Sequence, residues 1–275
     1  MNDASAPVVL AFENVSVRFG DDEVLRNVSF ALQRGESMVV LGAAGSGKTV
    51  LLKCALGLLP ITSGRILLFG EDVSRLDEQD WYERRSHVGV LFQEGGLFDS
   101  LTIEENVAYP LRNQPRLACP EDELMRRVEE SLNFVELGHT LDKFPSELSG
   151  GMRRRVGIAR AIVTQPDLLL YDSPTAGLDP ITANTIIALV IKGRDVRHAT
   201  TFMVTHRYQD GQMLSGYRHD PASGLLVPVN GARHTARTHY LVLRDGAAVF
   251  DGSQEELEAS ADPYVRRFVR REESA

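Results

Sequence analysis

A glycine-rich stretch in the first fifth of the chain has the residue types that bind phosphate. The segment GAAGSGKT, residues 42–49, fits the pattern G-x-x-x-x-G-K-[ST] and lies between an apolar run and a helical one. Glycines let backbone N–H groups face an anion, and the helix start adds a positive dipole end. Lys48 would reach the β- and γ-phosphates of a nucleotide, and Thr49 would hold Mg²⁺. The predicted nucleotide-binding residues here are Gly42, Ala43, Ala44, Gly45, Ser46, Gly47, Lys48, Thr49 and Val50.

A second segment supplies a carboxylate for the same site. The run LLLYD, residues 168–172, reads as a buried strand that ends in Asp172. Ligands collect at the carboxyl ends of parallel strands, so we expect Asp172 to lie beside the phosphate loop. A carboxylate at that place joins the coordination shell of Mg²⁺. Together the two segments predict a site for ATP and Mg²⁺.

Alternating apolar strands and helices are predicted to position these residues. Residues 8–41 read as strands with turns between them, and SMVVLG ends at the phosphate loop. Further strands are predicted within GRILLFGEDV, HVGVLFQ, PDLLLYDS and ATTFMVTH, with helices between them. Thr102, followed by Glu105, has capping-box spacing at one helix start. The alternation predicts an α/β fold with a parallel sheet and an inserted helical subdomain at about residues 95–160.

Two later segments are harder to interpret. Residues 211–238 fit neither pattern, although GLLVPVNG could form a small edge hairpin, since Pro228 excludes a central strand. This insert could cover the nucleotide site, bind a partner or be a tolerated loop. The run HYLVLRDGAAVFDGS predicts a hairpin that turns at Asp245 and Gly246. The division we predict is one domain over residues 1–262 and a C-terminal tail over 263–275, formed by a short helix and a fraying end.

Composition excludes several classes of protein. The net charge of −8 and the pI near 5.4 argue against a nucleic-acid partner. The local arginine runs at 153–155 and 266–271 read as solvated helix faces or as contacts for phosphate or lipid headgroups. Cys54 and Cys119 lack the spacing of a disulfide framework or a zinc site. We expect no signal peptide and no membrane span, and hence a cytoplasmic protein.

Further motifs give the sequence a family resemblance. The segment LSGGM, residues 148–152, precedes the Asp172 strand by about twenty residues. With the phosphate loop, Asp172, Gln93 and His206, it resembles the ATPases of ABC transporters over roughly residues 8–260, except 211–238. The resemblance implies a P-loop fold with a parallel core sheet, an antiparallel β subdomain and an inserted helical subdomain. It also implies that Ser149, Gly150 and Gly151 contact the γ-phosphate held by a second subunit.

The resemblance assigns further roles position by position. Phe19 resembles the aromatic residue that stacks on adenine, with a core strand aromatic as the alternative. Gln93 matches the glutamine that touches Mg²⁺ and the attacking water and faces the membrane subunit. Asp179, in the segment GLD, belongs to the loop that crosses the dimer interface. His206 matches the histidine that contacts the γ-phosphate, with a structural strand-end histidine as the alternative. The implied magnesium-binding residues are thus Thr49, Gln93 and Asp172.

One longer stretch resembles a subfamily. The segments LFQEGGLFDSLTIEENVAYPLR and ELSGGMRRRVGIARAI look like the ATPase subunits of Mce/Mla-type lipid transporters of bacterial envelopes. That resemblance implies a homodimer docked on an integral-membrane permease, with an extracytoplasmic lipid-binding subunit completing the complex. It places the chain peripherally on the cytoplasmic face of the inner membrane.

Ser173 departs from the family pattern. At this position the family has a glutamate that polarises the attacking water, and serine is a poor base near neutral pH. Losing a general base removes about 10²–10⁴-fold in rate. Four interpretations remain open: a slow or regulatory ATPase, a heterodimer with an intact ATPase, substitution by Glu94, and an altered sequence. An ATP-gated binding module and a soluble protein of translation or DNA repair are the alternative functions.

Overall fold

The structure, a computed structural model, describes residues 6–229 and 237–270. The strands in these residues are β1 Val8–Phe19, β2 Asp22–Gln33, β3 Ser37–Gly42, β4 Ser63–Leu68, β5 Glu71–Asp72, β6 Val88–Leu91, β7 Leu168–Asp172, β8 Thr200–Thr205, β9 Tyr217–His219, β10 Leu226–Pro228, β11 Thr238–Arg244 and β12 Ala247–Gly252. The α-helices are α1 Lys48–Ala55, α2 Glu78–Arg85, α3 Ile103–Asn113, α4 Glu121–Phe134, α5 Gly150–Ile162, α6 Pro180–Arg197, α7 Tyr208–Gly216, α8 Gln254–Glu258 and α9 Pro263–Arg270. None of these helices is long and apolar enough to cross a membrane.

The central sheet has six strands in the order β12-β11-β3-β8-β7-β6. Its pairs are parallel except for the hairpin of β11 and β12, which turns at Asp245 and Gly246 as the sequence predicts. Every residue of β3, β7 and β8 is buried. This burial on both faces explains why these strands read as continuous apolar runs, and it confirms the predicted parallel sheet. The carboxyl ends of β3, β7 and β8 lie at one edge.

A second sheet is antiparallel, with the order β2-β1-β4-β5. The rings of Phe12 and Phe30 stack across β1 and β2 with centroids 4.7 Å apart. Phe30 also stacks on Phe202 of β8 at 5.6 Å, so the two sheets share one apolar core. Helix α1 ends at Ala55, four residues before the apolar run does, because Gly57 adopts a left-handed φ of 65°. The long β1–β2 hairpin packs beside the phosphate loop, where Val24 and Leu25 approach Gly47.

Helices α3, α4 and α5 pack together beside β6. Thr102 and Glu105 form the predicted capping box at the start of α3. Ile103, Val107 and Leu111 repeat at helical spacing and are buried in the core that α4 and α5 share. The limits of the predicted helical subdomain stay a prediction, as does the division at residue 262.

The described part of the insert is ordered by local contacts. Residues 211–216 continue α7, and β9 pairs antiparallel with β10. A small hairpin therefore forms here, as predicted. Its second strand, β10, lies within GLLVPVNG, but its first strand, β9, precedes that segment. The Asp195 carboxylate of α6 accepts the His219 N–H at 2.7 Å, which holds the hairpin against α6. Residues 230–236 and the predicted fraying end at 271–275 lie outside the described residues.

Candidate functional site

The phosphate loop needs glycine at two positions for different reasons. Gly45 has φ 77° with open space around it, whereas Gly47 has φ 100° and close neighbours. A Cβ at Gly47 would lie 2.7 Å from Leu25 Cδ2 and 3.0 Å from the Val24 carbonyl oxygen. Both left-handed conformations disfavour other residues. The loop after β3 is therefore shaped by backbone conformation and by the β1–β2 hairpin packed behind it.

The only lysine in the loop is held inward. Lys48 Nζ donates to the carbonyl oxygens of Gly42 and Ala43, each at 2.8 Å. Burial lowers the pKa of Lys48, and the charge of Asp172 partly opposes this shift. The ammonium thus lies beneath the loop, close to the negative charge at the end of β7. A phosphate in the loop would compensate this buried charge.

The residues predicted to hold magnesium lie at the ends of two neighbouring elements. Thr49 Oγ1, at the start of α1, lies 3.5 Å from Oδ1 of Asp172, at the end of β7. Two oxygens that share an octahedral Mg²⁺ lie about 3 Å apart, so this pair fits the ion with little adjustment. The Ser173 hydroxyl donates to the same Asp172 oxygen at 3.2 Å. Ser173 itself adopts a left-handed φ of 47°, and its N–H is bonded to the Val204 carbonyl at 2.8 Å.

A pocket of about 800 Å³ opens over the phosphate loop. The predicted residues Gln93, Ser173 and His206 line it together with the whole loop. They come from the ends of β6, β7 and β8, which the parallel sheet brings to one edge. The complete lining is Val24, residues 42–50, Gln93, Ser173, His206, Tyr264, Arg267 and Phe268.

The other predicted site residues do not line this pocket. Phe19 is 48% exposed at the end of β1, which excludes the core-aromatic alternative. Ser149 caps α5, its hydroxyl accepting the Met152 N–H at 3.3 Å. Asp179 caps α6 and accepts two backbone N–H bonds, and hydrogen bonding with Thr182 lowers its pKa.

The residues of LSGGM and of the GLD segment are nevertheless neighbours. A Cβ added at Gly151 would lie 2.5 Å from Thr182 Cγ2, so glycine permits α5 to approach the start of α6. Gly150 has open space apart from Leu178 at 3.9 Å. Ser149, Gly150 and Asp179 are exposed, and within one chain none of them lines the nucleotide pocket.

The loop after Ser173 is fixed by a buried carboxylate that the sequence did not reveal. Asp210 of α7 is 2% exposed, and its Oδ2 accepts the hydroxyls of Thr175 at 2.6 Å and Thr205 at 2.7 Å. Burial raises the pKa of Asp210, although both hydrogen bonds oppose the shift. Thr205 directly precedes His206. One side chain therefore links the segments that carry Ser173 and His206.

A buried cation holds the same loop from the opposite side. Arg154 of α5 donates to the carbonyl oxygens of Pro174 and Ala176, each at 2.8 Å. Burial lowers the Arg154 pKa, and the charge of Glu94 acts in the opposite direction. Glu94 is not among the residues that line the pocket. The loop at residues 173–178 is thus clamped between α5 and α7.

Three pocket residues come from the C-terminal segment, and sequence reasoning missed them. Tyr264, Arg267 and Phe268 of α9 line the pocket. Tyr264 and Phe268 are four residues apart, the spacing of one helix face, and this was the available signal. By contrast, no residue in the described part of the 211–238 insert lines the pocket.

Comparisons with known proteins agree with this geometry. A family model described as ABC transporter matches residues 25–176. The probable ribonucleotide transport ATP-binding protein mkl of Mycobacterium leprae is 35% identical over 97% of this chain and 71% of its own length. The intermembrane phospholipid transport system ATP-binding protein MlaF of Haemophilus influenzae is 31% identical over 96% of this chain and 91% of its own. Among solved structures, this chain is similar to the ATP-binding cassette MJ0796 in a dimeric, post-hydrolysis state bound to ADP and Pi. The TM-score is 0.75 at 27% sequence identity, and the match covers 89% of this chain and 98% of the MJ0796 chain.

Proposed function

Because the chain belongs to the ABC transporter family and has the fold of its ATPase cassettes, we propose that it binds MgATP to drive transport through a membrane permease. The observation that carries this proposal is the pocket in which the phosphate loop, Gln93, Ser173 and His206 converge. The proposed substrate is lipid, on the similarity to MlaF, which covers nearly the whole of both chains.

Each side chain has a proposed role that follows from its position. Lys48 and the loop N–H groups bind the β- and γ-phosphates, and Thr49 and Asp172 hold Mg²⁺ together with Gln93. Held by these residues, Mg²⁺ would supply positive charge that offsets the negative charge of the phosphates. His206, which directly follows β8 and lines the pocket, contacts the γ-phosphate. Phe19, exposed at the end of β1, stacks on adenine.

We propose a dimer because some of the predicted nucleotide-binding residues do not line the pocket of their own chain. Ser149 and Asp179 are exposed and cap helices instead of lining the pocket. A second copy would bring its Ser149, Gly150 and Gly151 to the phosphates, at the start of a helix where anions bind well. A solved relative is a dimer. The proposed assembly is a homodimer, with a heterodimer as the alternative.

An apolar groove supports a membrane-protein partner. A groove of about 300 Å³ lies between Phe92, α3 and α5. Leu58, Phe98 and Tyr109 expose 39–47% of their surface there, and the rings of Phe98 and Tyr109 contact each other. Exposed apolar clusters of this kind mark interaction sites. We propose that the permease occupies the groove, holding the chain on the cytoplasmic face of the inner membrane. An extracytoplasmic lipid-binding subunit would complete the complex.

We further propose that hydrolysis is slow. The Ser173 hydroxyl donates a hydrogen bond to the Asp172 carboxylate, and a serine hydroxyl is a poor base near neutral pH, so it accepts a proton from water poorly. Phosphoryl transfer depends mainly on positioning and electrostatics, so ATP binding is retained. Glu94 does not line the pocket, which makes it a poor substitute.

Replacing Ser173 tests this proposal. We expect Ser173→Glu to raise ATP turnover at least about tenfold, because it supplies the missing base. Ser173→Gln is the matched control, since it has similar size and no base, and it should leave turnover near the original rate. Phosphate release at saturating MgATP is the measurement. Turnover of several per second in the original chain, or equal rates for the Glu and Gln variants, would show that the position does not limit hydrolysis.

The second candidate is an ATP-gated binding module that opens and closes without turnover. Ser173 favours it, since the position directly after Asp172 holds a hydroxyl and not a carboxylate that could act as a base. MgATP-dependent dimerisation with no phosphate release above background would support this function over a motor. Co-purification of the chain with a multi-span membrane protein is expected for both, and its absence would favour a soluble role.

A further inference from the structure

Helix α9 is bonded directly to the phosphate loop. The Tyr264 hydroxyl accepts the Ala43 N–H at 3.1 Å and donates to the Leu243 carbonyl at 3.0 Å. Ala43 is the second residue of the phosphate loop, and Leu243 lies near the end of β11, the strand beside β3. One side chain from the C-terminal segment therefore joins the loop to the central sheet.

Independent contacts fix the position of α9. Val265 is fully buried in the main core, and Phe268 packs edge-on against the Tyr264 ring at 5.4 Å. The Asp262 carboxylate accepts the Tyr264 N–H at 2.7 Å, which caps the start of the helix. The Arg244 guanidinium lies over the Tyr264 ring at 5.5 Å. Helix α9 is therefore held in place by several contacts besides its bond to the phosphate loop.

This position puts a cation at the pocket. Arg267 follows Tyr264 by three residues, nearly one helical turn, and its exposed side chain lines the pocket beside the loop. Lys48 is buried and bonded to the loop's own carbonyls, so it approaches phosphate from beneath. The guanidinium group of an arginine presents a planar fork of N–H donors that matches phosphate oxygens.

We propose that α9 is part of the nucleotide site: Arg267 binds the phosphates of the nucleotide held by its own chain, and Tyr264 sets the position of the loop and of α9. The inference deepens the proposed function and rests on it. The ligand class is a nucleoside di- or triphosphate. Arg267 is a binding residue, and Tyr264 is a positioning residue.

Calorimetric titration of MgATP and MgADP into the full chain tests the proposal. We expect Arg267→Ala to weaken binding about tenfold, the loss of one charge-assisted contact, and Arg267→Glu to weaken it more. The control is Arg266→Ala, the neighbouring arginine, which does not line the pocket and should change affinity less than about twofold. The affinity of the Arg267→Ala variant should also fall less steeply with salt. Tyr264→Phe should weaken binding by a smaller factor, with the fold retained.

The outcomes separate this inference from the proposed function. If the original chain binds neither nucleotide, the proposed function fails. If the original chain binds nucleotide and both Arg267 variants bind it as tightly as the original chain does, the assignment of Arg267 is wrong. It is also wrong if Arg266→Ala weakens binding as much as Arg267→Ala. Light scattering at the titration concentrations reports whether the chain is a monomer. An Arg267 effect that appears only in the dimer would place the side chain on the partner's nucleotide and overturn binding within one chain.

Discussion

Two loops leave neighbouring parts of the same sheet edge, and they are held in different ways. The phosphate loop, residues 42–49, is shaped mainly by its backbone, with Gly45 and Gly47 in left-handed conformations and Lys48 bonded to loop carbonyls. The loop at residues 173–178 contains one glycine, Gly177, and is held by side chains from outside. Asp210 binds it from α7 and Arg154 binds it from α5.

The difference indicates which of the two loops tolerates substitution of its own residues. A loop held by backbone conformation depends on residue types at fixed positions, because each glycine removes a steric restriction. A loop held by distant side chains depends on partners that lie far away in sequence. Those of its own residues that make no such bond can vary while the scaffold around them is kept. Substitutions in each loop and in its supports can test this distinction.

The largest effect is expected at Gly47. We predict that Gly47→Ala lowers MgATP affinity about 100-fold and the free energy of unfolding by about 2–4 kcal/mol, because left-handed strain and overpacking act together. The new Cβ would meet Leu25 and the backbone of Val24. Calorimetric titration measures the affinity, and urea unfolding measures the stability.

Gly45→Ala is the matched control for backbone strain alone. Gly45 also has a left-handed φ, but no atom lies within 4 Å of its Cβ position. Its cost should be about 1–2 kcal/mol, the penalty of the left-handed region. Equal effects at the two glycines would mean that contact with the β1–β2 hairpin does not shape the loop.

The same distinction explains how much could be predicted from sequence. The phosphate loop, the parallel strands and the capping box at Thr102 depend on neighbouring residues, so their patterns are visible in the chain. Asp210 could not be identified, because its partner Thr175 lies 35 positions away and only the fold brings the two together. The sequence predicts a short helix at α9, and Tyr264 and Phe268 share one face of it, but that spacing does not indicate which part of the fold the face contacts.

An intermediate effect is expected at Asp210. We predict that Asp210→Ala lowers the free energy of unfolding by about 2–3 kcal/mol, because two buried hydroxyls lose their acceptor. Asp210→Asn keeps an acceptor oxygen and should cost about 1 kcal/mol. Urea unfolding near neutral pH measures both. A loss as large for Asn as for Ala would mean that the charge of Asp210, and not its hydrogen bonds, holds the loop.

The pH dependence of the Asn variant sharpens this test. Burial raises the pKa of Asp210 in the folded chain, so the folded state binds this proton more tightly than the unfolded state. Its contribution to stability is therefore complete below the unfolded pKa of 3.8 and falls as pH rises through the folded pKa. Asp210→Asn should remove this loss of stability with rising pH. An unchanged pH profile would assign the titration to other groups.

The smallest effect is expected at Thr175, and it isolates one bond of the scaffold. Thr175→Val keeps the shape of the side chain and removes the hydroxyl that donates to Asp210, so it should cost about 1 kcal/mol. Thr205→Val should cost more, because the Thr205 hydroxyl also accepts the Arg207 N–H at 3.1 Å.

In the Asp210→Ala background the Thr175 bond is already lost, so Thr175→Val should cost almost nothing there. The coupling free energy should then be about 1 kcal/mol, within the range found for residues in one hydrogen-bond network. Additive costs would show that the two side chains stabilise the fold separately. In that case the loop after Ser173 would be held in position by Arg154 and by its own backbone. A single buried arginine would then be what distinguishes it from the phosphate loop.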